Sequence, residues 1–462
     1  MSALKHIAAG LFSIFLILGA NHVSQAQGRL LENSVYGPSL EGNLLGDTAT
    51  RNLLVYLPPG YDTSQVRYPV VYLLHTGGAS ERFYPYNEFP PSFEATGIFT
   101  KPQDFPANGF VGMIDSLIDV GDIQPMIIAM PNINTTYGGS FCINSSLNGN
   151  YEDYIIHDIV PYVDNEFRTL AGSNSRAIAG HCMGGFGAMY LSMKHPDVFG
   201  LVASHSSEFC MDALARACQP MVKMENPTAI GGPDPAKPFT SFMYLFSAAY
   251  SPNLANPPYY IDLPFDDTCG IREDVLLQWA ANDPIQMFPD HLSAIQGLKG
   301  IYLDVGDKDE LQSSYFMEPF SAALSMVGKL HLFEVFDGKH YSNLYTRLSK
   351  SLKFLSDSLE HTDISVHNAG FSDFSPKAGH IQNYPNPFYQ STRITYTIQK
   401  AGWVSMKIFN TAGQEIETLI NSLQIAGQHE IHWQPEELEG GTYFCVLRTN
   451  EHSQTEKLIF IK

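Results

Sequence analysis

One short stretch, Arg176–Tyr190, limits what this chain can fold into more than any other part of it. It starts with the small and apolar residues Ala-Ile-Ala, passes through Gly180-His-Cys-Met-Gly184 and continues as Gly-Phe-Gly-Ala-Met-Tyr. Glycines on both sides of Cys182 indicate a turn so sharp that side chains there would collide. The stretch therefore predicts a short buried strand, a very tight turn with Cys182 at its tip, and the first turns of a helix.

A cysteine at such a tip is placed for chemistry. The helix N-terminus offers unpaired N–H groups and a partial positive charge, which favour a thiolate, and the N–H of Met183 can face a developing oxyanion. This arrangement is a nucleophile elbow, whose usual pattern is Gly-x-Ser-x-Gly. The alternative is a glycine-rich turn around a buried structural cysteine, and five residues alone do not separate the two.

An elbow predicts further catalytic residues downstream, because a cysteine nucleophile needs a base and the base needs an orienting carboxylate. We select Asp309, in the loop after a strand that ends at Asp304, and keep Asp307 as the alternative acid. His340 is the candidate base, because it lies after the next strand and follows both the nucleophile and the acid. His331 also follows them, but it begins that strand instead of ending it.

The loop His75-Thr-Gly-Gly78 is expected to supply a second oxyanion donor, because it directly follows the predicted strand Tyr68–Leu74. A glycine N–H can approach a tetrahedral oxygen without obstruction, and each such donor supplies about 3 kcal/mol of transition-state stabilisation. The N–H of Gly77 or of Gly78, together with that of Met183, is therefore expected to form the oxyanion hole. The alternative for this loop is an ordinary glycine turn.

Apolar runs alternate with amphipathic segments over residues 29–357, which we assign to one domain. The predicted strands are Leu53–Leu57, Tyr68–Leu74, Met126–Met130, the elbow strand, Leu201–Ala203, Gly300–Gly306 and Leu330–Phe336, and the predicted helices include Tyr154–Phe167, Glu310–Val327 and Ser342–Ser356. Strands alternating with helices indicate an α/β fold with an open, mostly parallel, doubly wound sheet. Between Phe209 and Pro289 the alternation stops in a segment rich in Pro, Asn and aromatic residues, which we interpret as a partial lid over the substrate pocket; the alternative is a solvent loop.

Two further segments flank this domain. Residues 1–26 carry Lys5 ahead of the apolar run Ile7–Ala20 and are predicted to be a signal peptide cleaved after Ala26, with an uncleaved anchor as the alternative. Residues 358–380 are polar and predict a linker, and the short β-patterned runs of residues 381–462 predict a small all-β, immunoglobulin-like sandwich.

The charge and the cysteines bear on where the protein works. A net charge of −20 argues against nucleic acid or an anionic membrane as a partner. We expect a secreted or cell-surface protein with no membrane span in its mature form, and neither a cofactor nor a metal. Setting aside Cys182 and Cys445 leaves four cysteines that export can oxidise, Cys142, Cys210, Cys218 and Cys269. Cys210 with Cys218 is the simplest local pair, and four buried free thiols are the alternative.

Several motifs together resemble the α/β-hydrolase esterases that include S-formylglutathione hydrolase, feruloyl and acetylxylan esterases and the mycolyltransferase antigen 85. They are Leu53-Leu-Val-Tyr-Leu-Pro-Pro-Gly-Tyr61, Pro69–Ser80, Tyr137-Gly-Gly-Ser-Phe141, Tyr151-Glu-Asp-Tyr154, the elbow, His195-Pro-Asp-Val-Phe199, Gly306-Asp-Lys-Asp309 and His340. The resemblance implies an α/β-hydrolase sheet, a triad of Cys182, Asp309 and His340, and Gly77 and Met183 as oxyanion donors. Two positions depart from the family, which usually has serine at Cys182 and glycine at Thr76.

The resemblance implies a carboxylic-ester hydrolase that forms an acyl thioester on a small-molecule or polymer-linked ester. Dienelactone hydrolase, which is similar in placing cysteine at an elbow, makes such chemistry feasible on this fold. An acyltransferase of the antigen 85 type and a catalytically weak surface binding protein remain as alternatives.

The C-terminal segment resembles the sorting domain of type IX secretion, whose machinery would then be a partner. The resemblance rests on Asn383-Tyr-Pro-Asn-Pro-Phe388, on the turns at Gly413 and Gly441-Thr-Tyr443, and on the terminal run Lys457–Lys462. The alternative is a carbohydrate-binding module that uses Trp403 and Trp433 as platforms.

Overall fold

A computed structural model describes residues 27–362, 381–384, 386–398, 402–411, 414–425, 427–435, 438–449 and 453–462. The predicted signal peptide, residues 363–380 of the predicted linker and Gly413 lie outside the described residues. Within the described part, no helix combines the length and the apolar character needed to cross a membrane.

A central sheet of eight strands organises the N-terminal part. The strands are β1 (Arg29–Tyr36), β2 (Thr50–Leu57), β3 (Val70–Leu74), β4 (Ile127–Pro131), β5 (Arg176–His181), β6 (Leu201–His205), β7 (Gly300–Gly306) and β8 (Leu332–Phe336). Their order is β1-β2-β4-β3-β5-β6-β7-β8. The pairs β1–β2 and β2–β4 are antiparallel and the other neighbours are parallel. The predicted α/β class with a mostly parallel, doubly wound sheet is therefore confirmed.

Helices connect and cover these strands. The longer ones are α1 (Gly109–Asp119), α2 (Val160–Glu166, preceded without a break by Tyr151–Asp153 and Tyr154–Ile159), α3 (Met183–Lys194), α4 (Met211–Glu225), α5 (Pro238–Tyr250), α6 (Glu273–Ala280), α7 (Ser314–Met326) and α8 (Leu344–Ser358). Short helices span Phe83–Tyr86, Pro91–Thr96, Pro284–Met287 and Leu292–Gly297. Every residue of β3 through β7 is buried, as expected for parallel strands covered on both faces.

The segment predicted to be an irregular lid is about half helical. It contains α4, α5 and α6 instead of the strand–helix alternation found elsewhere. Pro238 occupies the first turn of α5, where its missing N–H costs nothing, and nearly the whole helix from Thr240 onward is buried. Proline at this position is compatible with the start of a helix, whereas the sequence analysis took the prolines of this segment as a sign of irregular structure.

The cysteines correct the pairing suggested by sequence. All six are free thiols. Cys210 and Cys218 lie at the start and in the middle of α4, and eight residues of helix separate Cα atoms by about 12 Å, whereas a disulfide needs about 6 Å. The alternative prediction, four free thiols, therefore agrees with the structure, with Cys210 partly exposed and the other three buried.

The C-terminal part is all β. Its strands are β9 (Ile381–Tyr384), β10 (Thr392–Ile398), β11 (Gly402–Asn410), β12 (Glu415–Gln424), β13 (Gly427–Trp433), β14 (Gly441–Arg448) and β15 (Ser453–Phe460). They form one sheet ordered β9-β10-β13 and another ordered β12-β11-β14-β15, as predicted for a small sandwich. Trp433 is 1% exposed and belongs to the hydrophobic core, so it cannot serve as a surface platform for sugars.

Candidate active site

The turn at Cys182 has the sharp geometry that its sequence predicts. Strand β5 ends at His181 and helix α3 begins at Met183, so that Cys182 occupies the connection alone. Its backbone has φ +56° and ψ −122°, a strained conformation for a residue with a side chain, and its N–H donates to the His205 carbonyl at 2.9 Å. Strand β5 before Cys182 and helix α3 after it hold the backbone in this strained conformation.

The two flanking glycines are required by space. A Cβ added to Gly180 would lie 2.4 Å from the backbone of Gly184, and one added to Gly184 would lie 2.2 Å from the carbonyl oxygen of Leu74. Both neighbours are backbone atoms of packed elements, which cannot move aside as the end of a side chain can. The close approach of α3 to strand β3 therefore explains the glycine pattern around Cys182.

His340 and Asp309 form a buried pair beside the elbow. The Nδ1 atom of His340 lies 2.7 Å from Oδ2 of Asp309, and both side chains are fully buried. The other carboxylate oxygen, Oδ1, accepts the backbone N–H of Leu311 at 2.8 Å. The backbone therefore fixes Asp309, and Asp309 in turn fixes the imidazole of His340.

The electrostatics of this pair favour a charged histidine. Burial disfavours a charged imidazole, but the neighbouring Asp309 carboxylate and Cys182 outweigh it and hold the pKa of His340 well above its usual value. Burial would raise the pKa of Asp309, yet the charge and hydrogen bond of His340 lower it overall. The site therefore favours an imidazolium at His340, between the Asp309 carboxylate and Cys182.

The predicted nucleophile and base, Cys182 and His340, lie close together, and Glu208 lies beside them. One ligand atom from each of Cys182, Glu208 and His340 lies within 4.8 Å of the other two. Because Nδ1 of His340 is taken by Asp309, the nitrogen that faces Cys182 is Nε2. Within the described residues Nε2 forms no hydrogen bond of normal geometry, although Cys182 is near enough to raise the pKa of His340.

Glu208 is a member of this site that the sequence analysis missed. Its Oε2 atom lies 4.0 Å from Sγ of Cys182, and its Oε1 atom accepts a hydrogen bond from the Ser313 hydroxyl at 2.8 Å. Burial raises the pKa of Glu208 to about 7. An acid three residues beyond the end of β6, the strand next to the elbow strand, was the available signal.

Aromatic rings and a hydrogen bond hold the histidine loop in place. The ring of Tyr341 packs at 4.8 Å from that of His340, and its hydroxyl lies 2.8 Å from the Thr76 hydroxyl. His181 packs against the same histidine and lies 2.9 Å from its carbonyl oxygen through Nε2. Burial lowers the pKa of His181 well below its usual value, so it serves as a neutral support.

The predicted oxyanion donors lie beside Cys182. Gly77 and Met183 line the same cavity as Cys182. Gly78 donates its N–H to the Gly138 carbonyl at 2.6 Å, which leaves Gly77 as the better candidate of the two loop glycines. A Cβ on Gly77 would only touch Phe93 at an ordinary 3.6 Å, so space alone does not require glycine there.

The alternative site residues have other partners. Asp307 is exposed and accepts the N–H of Gly338 at 2.9 Å. Asp304 is buried and pairs with Arg347 and with Nδ1 of His205, at 2.7 Å from the latter. His331 lies 2.7 Å from the Ser321 hydroxyl, on the surface side of β8. None of these side chains contacts Cys182.

A narrow apolar cavity of about 30 Å³ opens at Cys182. Besides Cys182, Met183, Gly77 and Glu208, its lining residues are Phe93, Phe99, Phe141, Leu214, Cys218, Phe242, Leu245, Phe246 and Leu311. Three of these belong to α5 and two to α4, so the predicted lid does shape the cavity. Apart from Glu208, the walls suit an apolar group.

The mostly parallel sheet with helices on both faces is the fold of an α/β hydrolase. Residues 48–341 match the family described as "Putative esterase", and the chain belongs to that family. Residues 382–462 match the secretion system C-terminal sorting domain, as the sequence predicted. Such a domain implies export to the cell surface or the medium.

Curated relatives match a smaller part. The chain is 33% identical over 153 residues to an esterase of Mycobacterium tuberculosis, which is 33% of this chain and 28% of that protein. It is 31% identical over 151 residues, 32% of the chain, to an endo-1,4-beta-xylanase/feruloyl esterase of Xylanibacter ruminicola, of which it covers 18%. The chain thus spans less than a third of the length of these relatives.

Solved structures match more of the chain at lower identity. A ferulic acid esterase is 19% identical with a TM-score of 0.44, over 72% of this chain and 98% of that one. The S-formylglutathione hydrolase of Staphylococcus aureus is 16% identical with a TM-score of 0.44, over 72% of this chain and all (100%) of that one.

Proposed function

We propose that this protein is a carboxylic-ester hydrolase in which Cys182 is the nucleophile, His340 the general acid and base, and Asp309 the orienting carboxylate. The observation that carries the proposal is the buried arrangement at the elbow. A thiol at a strained strand–helix turn faces the free nitrogen of an imidazole whose other nitrogen lies 2.7 Å from a carboxylate.

The first half of the reaction acylates the thiol. The proton of Cys182 passes to Nε2 of His340, and the sulfur attacks the ester carbon. The carbonyl oxygen gains a negative charge that the N–H groups of Gly77 and Met183 stabilise. When the intermediate collapses, the bond to the alcohol oxygen breaks and His340 gives its proton to the leaving alcohol, which leaves an acyl thioester on Cys182.

The second half regenerates the enzyme. His340 takes a proton from a water molecule, which attacks the thioester carbon. The carbon–sulfur bond then breaks, the carboxylic acid departs, and Cys182 leaves as a thiolate beside the protonated imidazole. The raised pKa of His340 supports this proposal, because it favours the thiolate–imidazolium pair of Cys182 and His340 with which the cycle begins and ends.

The cavity supports an apolar acyl group as the part of the substrate that is recognised. Its walls carry the five phenylalanines Phe93, Phe99, Phe141, Phe242 and Phe246. The named activity of the Xylanibacter relative suggests feruloyl esters as one class to assay. Activated esters and thioesters suit a thiol nucleophile best, because their leaving groups need little protonation.

Trapping the acyl thioester tests the proposal. We expect acid-quenched protein incubated with p-nitrophenyl butyrate to gain one butyryl group on the peptide that contains Cys182. We expect iodoacetamide to block hydrolysis and sulfonyl fluorides to spare it, because the attacking atom is sulfur. The Cys210→Ser variant, which removes a partly exposed thiol, should behave like the native protein. Butyrylation of a different residue, or hydrolysis that persists after Cys182 is alkylated, would overturn the assignment.

Adding alcohol acceptors to the same assay separates hydrolysis from acyl transfer. A hydrolase releases mainly butyric acid, whereas a transferase forms butyryl esters of the acceptor as its main product. Native protein that neither hydrolyses nor transfers any ester across a panel of acetyl, butyryl and feruloyl substrates would instead favour a binding protein.

We also propose that residues 1–26 direct the chain to the periplasm and that the sorting domain carries it across the outer membrane. The proposed catalytic groups all precede residue 358, and the sandwich has a hydrophobic core of its own. Deleting residues 383–462 is therefore expected to leave active esterase in the periplasm of the producing organism. Fractionation with an activity assay measures this. Equal export of both forms would remove the sorting role, and loss of binding to insoluble polysaccharide would favour the carbohydrate-module alternative.

A further inference from the structure

Glu208 has no part in the proposed reaction, yet its position is unusual. It is a buried carboxyl group that faces the sulfur of Cys182 at 4.0 Å, and Ser313 is its hydrogen-bond partner on the other side. A thiol, a carboxyl group and an imidazole nitrogen thus meet at one place in the described chain.

We propose that Cys182, Glu208 and His340 form a binding site for Zn²⁺ and that an occupied site cannot hydrolyse esters. Sulfur, imidazole nitrogen and carboxylate oxygen are the three ligand types that zinc prefers in proteins. One ligand atom from each residue lies within 4.8 Å of the other two. The ligand atoms of a tetrahedral zinc site lie about 3.5 Å apart, so shifts of about 1 Å bring the three into place.

The orientation of His340 suits a cation as well as the proposed reaction. Its Nε2 atom is fully buried, faces Cys182 and, among the described residues, forms no hydrogen bond of normal geometry, while Nδ1 is held by Asp309 at 2.7 Å. A carboxylate on the far nitrogen is the arrangement that fixes most zinc-binding histidines. The charges also match, because a thiolate, a carboxylate and a neutral imidazole together balance a divalent cation.

The cavity has room for a fourth ligand. Cys182 and Glu208 both line it, and its volume of about 30 Å³ exceeds the 10–15 Å³ or so that one water molecule needs. Zinc displaces to solvent the proton that Cys182 and His340 share and any proton on Glu208, and the lone pairs of the sulfur and of Nε2 bind the metal. A sulfur held in this way cannot attack an ester, and inhibition follows for that reason.

Cobalt absorption tests the site without depending on activity. We expect Co²⁺ added to the native full-length protein to give a thiolate-to-metal charge-transfer band and the strong visible bands of tetrahedral cobalt, both removed by one equivalent of Zn²⁺. Cys182→Ser should abolish the charge-transfer band. Glu208→Gln keeps an oxygen for the Ser313 hydroxyl and should weaken zinc binding at least about 100-fold, since even outer partners of a ligand contribute 10–100-fold.

The matched control is Cys210→Ser, because Cys210, Asp212 and Asp283 are a second group of close ligand atoms in the described chain. This variant should retain the full cobalt spectrum. Loss of the band in Cys210→Ser, its survival in Cys182→Ser, or unchanged zinc affinity in Glu208→Gln would each overturn the proposed site.

The inhibitory half of the proposal rests on the proposed function and is measured separately. We expect hydrolysis of p-nitrophenyl butyrate to stop when zinc saturates the site and to return after a chelator is added. Zinc that is bound through Cys182 while hydrolysis continues would refute the inhibition. A protein that binds cobalt through Cys182 but hydrolyses no ester in metal-free buffer would instead refute the esterase and leave the metal site standing.

Discussion

Cys182→Ala is expected to lower kcat for ester hydrolysis by about 10⁴-fold or more, the cost of losing a nucleophile when only binding and oxyanion donors remain. The methyl group of alanine occupies the tip of the same turn, whose conformation is set by Gly180 and Gly184. The fold should therefore survive, and the loss should appear in kcat instead of KM. Initial rates with p-nitrophenyl butyrate, measured beside the melting temperature, separate a dead site from an unfolded protein.

Cys182→Ser is the informative partner of that variant. Serine keeps an attackable oxygen at a position where the family usually has one, so we expect hydrolysis to persist and the inhibitor profile to reverse. Iodoacetamide should no longer inhibit, and sulfonyl fluorides should begin to do so. An inactive serine variant beside an active native enzyme would mean that the site has been rebuilt around sulfur, with Glu208 at 4.0 Å as the first residue to examine. An alanine variant that hydrolyses as fast as the native protein would place the nucleophile elsewhere.

Residues whose identity is dictated by local geometry were predictable from sequence. Gly180 and Gly184 signal the elbow, because a Cβ at either position would overlap packed backbone. The runs that became β3 and β7 were predictable as well, because strands buried on both faces are mostly apolar, with the paired Asp304 as the exception in β7. The order of nucleophile, acid and histidine then follows from the order of the strands.

Features that depend on tertiary packing could not be predicted from the sequence. Strand β1 was missed because it lies at the edge of the sheet, where all but one of its residues are exposed or half-buried, which leaves no continuous apolar run. Glu208 was missed because its place in the site depends on contacts with Cys182 and Ser313, and Ser313 lies 105 positions away along the chain. Long-range contacts of this kind leave no spacing pattern in one sequence.

Thr76 departs from the family pattern, and the structure gives a physical reason for threonine at this position. The sequence marked it only as a residue where related esterases usually have glycine. In the fold its hydroxyl lies 2.8 Å from that of Tyr341, the neighbour of His340. This hydrogen bond joins the loop that carries Gly77 to the loop that carries His340, and it therefore restrains the distance between the proposed oxyanion donor and the proposed base.

Asp309→Asn is expected to lower kcat by about 10³–10⁴-fold with little change in KM. The reason is specific to this site. Oδ1 of Asp309 accepts the backbone N–H of Leu311 at 2.8 Å, so the amide oxygen of asparagine must take that position and its NH₂ must face Nδ1 of His340. Nδ1 then becomes an acceptor, the imidazole proton moves to Nε2, and Nε2 can no longer take a proton from Cys182.

The pH profile distinguishes this mechanism from a general loss of structure. Asp309 raises the pKa of His340, so removing its charge should lower that pKa and move the alkaline limb of the kcat/KM profile to lower pH. Asp307→Asn is the matched control: it makes the same chemical change two residues away, on an exposed side chain that accepts the Gly338 N–H. We expect it to leave both kcat and the pH profile within about twofold of the native enzyme, as surface changes usually do. If Asp307→Asn were the damaging variant and Asp309→Asn the harmless one, the acid of the triad would be Asp307, and the buried pair at His340 would serve stability alone.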